Sequence, residues 1–368
     1  MIEIDVERLR SIGMNPAILQ HVRPEIDCDP IGPASPNGGA RRLMRLTAVH
    51  RETVQVHDGQ HEHTARVLPR LVRALAETGT GLAVGDWLLA RQDPHGAWWV
   101  ERTLPPLTHL ARRDADGRRH PVVSNVDAAL LVMGLDGDFN VRRLERYLSL
   151  VLAGDVLPVI VLTKADVAAP GAIEAAFEAL RGRIAATIDM VIVDARARDA
   201  ATLLAPYLGA GQTVVLLGSS GAGKSTLTNT LAGEALQDTG AVREHDSRGK
   251  HTTTARSLHC LPGGACIIDT PGLRVLRPDI DEALLGASFG DIERLAGECR
   301  FRDCTHGDEP GCAVREGVAP DRLRNFKKLL RETRRDTMTV LERQRQVAQW
   351  KARGRAGHAR MKAKREWA

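Results

Sequence analysis

The chain has 368 residues, with 51 Lys/Arg against 46 Asp/Glu and a formal net charge of +5. That length fits two or three domains, and 43% hydrophobic with 26% charged residues excludes a wholly disordered chain. No apolar run approaches the ~18 residues that a membrane span needs, and the start Met1-Ile2-Glu3-Ile4-Asp5 lacks the basic and apolar regions of a signal peptide, so a cytoplasmic protein with no membrane partner is expected.

Residues 1–40 contain Pro16, Pro24, Pro30, Pro33 and the run Pro36-Asn37-Gly38-Gly39, which predict an irregular N-terminal extension with at most a short helix before Pro24. Short strands with turn signals follow at 43–49, 53–57, 61–67, 84–90 and 98–102, with Asp58-Gly59-Gln60 as a hairpin turn. This spacing suits a small β-barrel over 41–112. An OB-type barrel is the expected form, although other small barrels share the pattern.

Leu104-Pro105-Pro106 ends this unit, and a linker is expected up to about Val122. Strands at 126–131, 156–162, 190–193 and 213–217 then alternate with helices at 141–152, 173–181, 200–208 and 224–231. Such alternation is the grammar of a doubly wound, mainly parallel sheet. Segments 256–261 and 265–268, joined by Pro262-Gly263-Gly264, predict a hairpin that adds one antiparallel edge. From Asp281 onward the chain reads as helical and polar.

The stretch Gly218-Ser219-Ser220-Gly221-Ala222-Gly223-Lys224-Ser225 fits the pattern GxxxxGK[ST] between a strand and a helix. Its glycines let successive backbone N–H groups wrap a phosphate at a helix N-terminus. Lys224 would reach the β- and γ-phosphates, Ser225 would ligate Mg²⁺, and Thr226 opens the helix beside them. Asp269-Thr270-Pro271-Gly272 follows the strand 265–268, where Asp269 can hold the magnesium through water and the Gly272 N–H can meet a γ-phosphate. Thr163-Lys164-Ala165-Asp166 follows the strand 156–162. A carboxylate at Asp166 accepts hydrogen bonds from both N1–H and the exocyclic amine of guanine, a donor pair that adenine lacks. The Lys164 stem can lie against the base. Asp194-Ala195-Arg196 is the expected place of the remaining base-side loop.

Cys299, Cys304, His306 and Cys312 supply three thiolates and one imidazole within fourteen residues. That is a complete tetrahedral set for one structural Zn²⁺, in a segment too small to bury a core of its own. The other cysteines, Cys28, Cys260 and Cys266, read as ordinary buried or loop residues. Charge is uneven: from Arg315 to the end there are 17 Lys/Arg against 6 Asp/Glu, whereas the preceding 314 residues carry 34 against 40. A basic tail of this kind is either a solvated face or a phosphate-binding surface.

The base-reading loop precedes the phosphate loop by about fifty residues, the reverse of ordinary small GTPases. This order, the barrel before it, Gly249-Lys250-His251-Thr252-Thr253-Thr254 and the cysteine cluster after it resemble the circularly permuted GTPases of the ribosome-small-subunit-dependent GTPase A family. The resemblance covers residues 40–345. It implies an OB-type barrel (41–112), a permuted α/β GTPase domain (122–278) and a helical zinc-binding domain (279–346), which the prolines and charges of the chain flank with an irregular extension (1–40) and a basic tail (347–368).

It also implies a monomer that binds GTP/GDP and the small ribosomal subunit with its rRNA, acting late in assembly. A Ras-like enzyme orients its water with a Gln just after DxxG, and here that position is Leu273. The resemblance puts His251 in the catalytic role and one of Thr252, Thr253 and Thr254, with Thr254 favoured, on the magnesium. One residue departs from the family pattern: Thr163 stands where Asn is usual, so a looser base-side tie and weaker nucleotide affinity are expected. The competing readings are a P-loop ATPase or small-molecule kinase, against which Asp166 argues, and an RNA-binding module with a vestigial nucleotide site, against which Lys224, Ser225 and Asp269 argue.

Overall fold

The computed structural model describes residues 4–28, 40–114, 118–233, 236, 256–270 and 278–337. The expected basic tail, 347–368, lies outside them. The chain divides into two compact units, Met1–Asp279 and Ile280–Ala368.

The first unit begins with two helices, α1 (Val6–Arg10) and α2 (Pro16–Asp27). Asp5 caps α1 by accepting from the Arg8 N–H, and Asn15 caps α2 by accepting from Ile18. The expectation of an irregular extension therefore fails over these residues. Pro16 sits at the start of α2, where its missing N–H costs nothing. Pro24 lies inside the helix, where the disruption is offset by burial of Ile18, Val22 and Ile26 at helical spacing. These side chains and Leu9, Ile12 and Met14 pack on Leu43, Trp87, Leu89 and Leu104.

The barrel comprises β1 (Arg41–Val49), β2 (Val54–His57), β3 (Glu62–Val67), β4 (Trp87–Gln92) and β5 (Trp98–Thr103), with helix α3 (Pro69–Glu77) between β3 and β4. The strands pair β1-β2-β3-β5-β4 and close back onto β1; only β3–β5 is parallel. This is the OB arrangement. Strand alternation explains how the barrel is covered on both sides. Met44, Leu46, Leu88 and Ala90 point into the barrel core, while Leu43, Trp87 and Leu89 point out to α1 and α2.

The expected linker contains a hairpin, β6 (His109–Arg113) and β7 (Arg119–Ser124), with Leu110, Val122 and Val123 buried. Arg113 and Arg119 both reach the Asp279 carboxylate, at 2.5 and 2.6 Å. The α/β part follows: β8 (Ala128–Gly134), α4 (Val141–Ala153), β9 (Leu157–Thr163), α5 (Ala172–Leu180), β10 (Asp189–Ile192), α6 (Ala200–Leu203), β11 (Thr213–Leu217), α7 (Lys224–Ala232), β12 (Ser257–Cys260) and β13 (Cys266–Asp269). The order is β10-β9-β8-β11-β13-β12, parallel except for β12. β8 and β11 are buried along their whole length, as strands covered on both faces must be. β12 is antiparallel as expected, but it is not an edge. It pairs with β1 at Ala48↔Ser257, so the barrel and the nucleotide-type sheet are continuous.

Arg45 on β1 sits where these parts meet and is fully buried. Its guanidinium donates to the carbonyls of Ile12 (2.5 Å), Gly85 (3.3 Å) and Asn125 (2.8 Å) and to the Thr213 hydroxyl (2.8 Å). The N-terminal segment, the barrel, the β7–β8 junction and the start of β11 thus share one cation. Trp87 covers it, with the guanidinium carbon 5.3 Å from the ring centroid. Gly13 is required here, because a Cβ would stand 1.8 Å from an Arg45 nitrogen. Burial lowers the Arg45 pKa, and Cys266, Asp127, Cys260 and Asp86 oppose that shift.

The second unit holds α8 (Glu282–Ser288), α9 (Gly290–Ala296), α10 (Ala313–Gly317) and α11 (Pro320–Thr337). Its apolar core is small, built around Leu285, Phe289, Ile292, Val314, Leu323 and Leu329. Arg322 is buried within it, gripping Asp291 with two hydrogen bonds of 2.8 and 2.6 Å and lying over the Phe289 ring. No helix among the described residues is long and apolar enough to cross a membrane.

Replacing Arg45 by Met leaves the buried Ile12 and Asn125 carbonyls without their donor, whereas the Gly85 carbonyl keeps the Asn125 amide. At about 1–3 kcal/mol per orphaned group, with partial relaxation, Arg45→Met lowers the unfolding free energy by about 3–5 kcal/mol. Urea unfolding followed by tryptophan fluorescence measures this; a loss below about 1 kcal/mol contradicts the role given to Arg45.

Candidate functional site

The loops after β8, β9, β10, β11 and β13 all leave the carboxyl ends of neighbouring parallel strands. In doubly wound sheets this edge is where ligands are bound. It brings together Lys224, Asp269 and the 163–166 loop, although these lie far apart in the chain.

The loop 218–223 turns from β11 into α7. Gly223 has φ +96°, a left-handed conformation that disfavours any side chain, and opens the helix so that its first N–H groups face the loop. Ser220 and Gly221 are exposed, whereas Ser219 and Ala222 are buried. Lys224 is buried and its ammonium donates to the carbonyls of Gly218 (3.1 Å) and Ser219 (2.8 Å). Burial pulls its pKa down, against the attraction of Asp269 and Asp138. Thr226 is half-buried on the first turn of α7.

Asp269 ends β13 and is wholly buried. Its Oδ2 lies 3.4 Å from the Ser225 hydroxyl, and its Oδ1 has no partner among the described residues. Burial pushes its carboxyl pKa up, while Lys224 holds it down. A buried, unpaired carboxylate oxygen beside a serine hydroxyl is an oxygen donor set suited to a hard divalent cation and its waters. Thr270 anchors the strand end by donating to the Leu216 carbonyl at 2.7 Å. Gly272, and the loop 249–254 with His251 and Thr254, lie outside the described residues.

The base-side loop corrects one expectation. Thr163 is buried, and its hydroxyl donates to the Ala222 carbonyl of the phosphate-type loop at 2.7 Å, with the Met133 carbonyl 3.3 Å away. A single hydroxyl therefore does tie the neighbouring loops. Lys164 adopts φ +60° and pairs with Asp136 at 2.6 Å, which stretches its stem across the end of β8. Burial works to raise the Asp136 pKa, but the Lys164 hydrogen bond wins and holds it low. Ala165 is half-buried beside it and Asp166 is exposed, with its carboxylate open to a ligand. Ala195 of the third loop is buried, and its carbonyl accepts from Thr230 of α7 at 2.7 Å.

The loop between β8 and α4 carried no motif in the sequence, yet it lies against the site. The Ser219 hydroxyl is 2.7 and 2.6 Å from the two Asp138 oxygens, and Arg143 reaches Asp138 at 2.7 Å. Only its position after a strand of the parallel sheet signals this.

In the second unit the donor atoms of Cys299, Cys304, His306 and Cys312 all lie within 4.8 Å of one another. His306 Nδ1 is 3.6 Å from the sulfurs of both Cys299 and Cys312, which are 4.0 Å apart. A tetrahedral ion with metal–sulfur bonds of ~2.3 Å and metal–nitrogen bonds of ~2.0 Å needs donors about 3.5–3.8 Å apart. The cluster could therefore hold a metal ion. Backbone groups support it: the Arg315 N–H donates to Cys312 and the His306 N–H to Cys304, both at 3.4 Å. Lys327 of α11 holds the His306 carbonyl at 2.6 Å.

Removing the Thr163 hydroxyl strands the buried Ala222 carbonyl. Thr163→Val is expected to weaken GDP binding about five-fold, the roughly 1 kcal/mol of one buried hydrogen bond. Unchanged affinity, measured by titration with a fluorescent GDP analogue, contradicts the coupling of the two loops.

Comparison with known proteins agrees with this geometry. The family model described as RsgA GTPase matches residues 104–278. A small ribosomal subunit biogenesis GTPase RsgA from Xanthomonas axonopodis pv. citri (strain 306) is 45% identical over 296 residues, covering 78% of this chain and 80% of the relative. The protein of the same name from Xanthomonas euvesicatoria pv. vesicatoria is 46% identical over 272 residues, 72% of this chain and 73% of its own. Among solved structures, YjeQ from Thermotoga maritima aligns with a TM-score of 0.57 at 23% identity, covering 80% of this chain and 98% of that one. YloQ, a circularly permuted GTPase, aligns at 0.54 with 22% identity, over 83% of this chain and 100% of its own. With the sheet order, the reversed order of the two loops and these likenesses together, the chain belongs to the RsgA family of circularly permuted GTPases.

Proposed function

We propose that this GTPase is a GTP-driven switch that binds the small ribosomal subunit and its rRNA and acts late in subunit assembly, with hydrolysis stimulated by the subunit. The observation that carries the reading is the convergence of Lys224, the unpaired Asp269 oxygen and the exposed Asp166 at one edge of one sheet. The relatives' name, small ribosomal subunit biogenesis GTPase, supports the partner. The exposed Arg324, Lys328, Arg331 and Arg335 recur every three or four residues along one side of α11, a charge pattern suited to phosphates. The working domains are the barrel (41–112), the permuted GTPase domain (122–278) and the zinc domain (279–346). We infer that the protein works in the cytoplasm as a monomer.

Phosphoryl transfer needs positioning and charge stabilisation more than covalent chemistry. The backbone N–H groups of residues 219–226 wrap the phosphates, and Lys224 bridges the β- and γ-oxygens. The low dielectric around its buried ammonium strengthens that contact. Magnesium bound with GTP would neutralise phosphate charge; Ser225, Asp269 through water, and Thr254 are the residues that would hold it. The Gly272 N–H meets the γ-phosphate. Asp166 accepts from guanine while Thr163, Lys164 and Ala165 fix the loop that carries it. Leu273 cannot orient a water, so His251 takes that task, accepting from the water or stabilising charge. Cys299, Cys304, His306 and Cys312 would hold one structural Zn²⁺, a complete set of four ligands that would leave no open position for catalysis.

GTP hydrolysis with and without purified small subunits tests the reading: turnover is slow alone and rises at least tenfold with the subunit. His251→Ala removes at least ten-fold of the stimulated rate and leaves GDP affinity nearly unchanged. No stimulation by the subunit, or wild-type stimulated turnover in His251→Ala, contradicts the respective claim. Metal analysis is expected to find one zinc per chain, lost in Cys312→Ala; a chain without stoichiometric zinc removes the metal assignment.

A further inference from the structure

Cys260 ends β12 and Cys266 begins β13, and the two stand directly opposite each other in the antiparallel register. The Cys266 N–H points away from β12, to the Gln212 carbonyl at 2.8 Å. The pair is therefore of the non-hydrogen-bonded type, in which Cα atoms lie about 4.5 Å apart and the side chains are closest. That spacing falls inside the ~4.4–6.8 Å range of disulfides. Only five residues, 261–265, separate the two, and the turn is closed by the Leu261 N–H to the Ala265 carbonyl at 2.8 Å.

Their environments differ. Cys260 is exposed and Cys266 is buried. The Cys266 thiol donates to the Ser11 carbonyl, sulfur and oxygen 3.8 Å apart, and its closeness to the Cys260 sulfur, helped by the nearby Arg45 guanidinium against burial and Glu62, holds the Cys260 thiol below its ordinary pKa. The neighbouring Cys260 sulfur and burial push the Cys266 thiol up. An accessible sulfur biased toward thiolate, with a protonated second thiol directly opposite it in the strand pair, is the arrangement of a peroxide-sensitive cysteine and its resolving partner. The remaining cysteines lack it: Cys28 is exposed, with no thiol contact among the described residues, and Cys299, Cys304 and Cys312 form the metal cluster.

We propose that Cys260 and Cys266 form a reversible oxidation site for hydroperoxides, with Cys260 as the attacking thiol and Cys266 as the resolving one. The Cys260 thiolate attacks one peroxide oxygen; the S–O bond forms, the O–O bond breaks, and the departing oxygen takes a proton to leave as water. The Cys266 sulfur then attacks the Cys260 sulfenic acid, the S–O bond breaks, and the released hydroxide takes the Cys266 proton to leave as a second water. Two thiols and one hydrogen peroxide thus give one disulfide and two waters. A dithiol reverses the step by exchange. The crosslink joins the strand that follows the 249–254 loop to the strand that ends in Asp269.

The test uses the full-length, zinc-loaded protein treated with one equivalent of hydrogen peroxide, then alkylated with N-ethylmaleimide and digested with trypsin. Arg256 and Arg274 bound a single peptide holding both cysteines. That peptide is expected to lose two hydrogens and carry no maleimide, while Cys28 is alkylated; dithiothreitol restores two maleimides. In Cys266→Ala the sulfenic acid is trapped on Cys260 by dimedone, and in Cys260→Ser no dimedone adduct forms at Cys266. Two maleimides on the wild-type peptide after the peroxide is consumed overturn the proposal. So does a sulfinic Cys260 beside an alkylated Cys266, or dimedone on Cys266 in Cys260→Ser. The wild-type peptide decides the matter even if a variant fails to fold.

Discussion

A guanidinium taken out of water has to find acceptors for its donors, and in this protein that requirement shapes the first unit. Arg45 finds them in backbone carbonyls from the N-terminal segment, the barrel and the β7–β8 junction, and in the Thr213 hydroxyl at the foot of the strand that leads to Lys224. Asp127 completes the junction by accepting from the Asn15 amide and the Thr213 N–H. A barrel and a nucleotide domain joined by a flexible linker would share little. Here they share a buried cation, a covering indole and the strand pairing of β1 with β12. The N-terminal helices belong to the same arrangement, because Ile12 and Gly13 form part of the Arg45 socket.

At the opposite end of β11 the same rigidity serves chemistry. A parallel sheet presents its loops at one edge whichever strand comes first in the chain. Moving the base-side loop ahead of the phosphate loop therefore alters the path of the chain and not the placement of Lys224, Asp269 and Asp166. The contacts that hold the loops in register are Thr163 to Ala222, Ser219 to Asp138, and Lys164 to Asp136. Buried Lys224 and Asp269 each shift toward the neutral form by desolvation and restrain one another by attraction, as expected where phosphate and a divalent cation are to be received.

What could be read from the amino-acid order follows from how local each signal is. The strand 213–217 and the turn after it were legible to the residue, because glycine spacing and an apolar run are local features. The metal cluster was legible from ligand spacing alone, and the five barrel strands from their short runs and turn signals. Three features were not. Proline counting stopped the expected short helix before Pro24, whereas α2 runs through that proline to Asp27. The charged β6–β7 hairpin read as linker, because its pairing is fixed by Asp279 far along the chain. Arg45 carried no signal in the sequence, since backbone carbonyls, its main partners, leave no mark there. Thr163 is the converse case: its lost amide was visible, but its bond to Ala222 depends on the fold.

We propose that the loop placed before the phosphate loop in the chain reads the base through the exposed carboxylate of Asp166. The most direct test is nucleotide competition on wild type and Asp166→Asn. Wild type should prefer GDP over ADP and over xanthosine diphosphate by at least about a hundred-fold, the cost of leaving paired polar groups unmatched. An asparagine amide offers a donor to the 2-oxygen of xanthine, so Asp166→Asn should reverse the preference toward xanthosine diphosphate. An unchanged preference for GDP in Asp166→Asn, or equal binding of ADP and GDP by the wild type, would contradict the account.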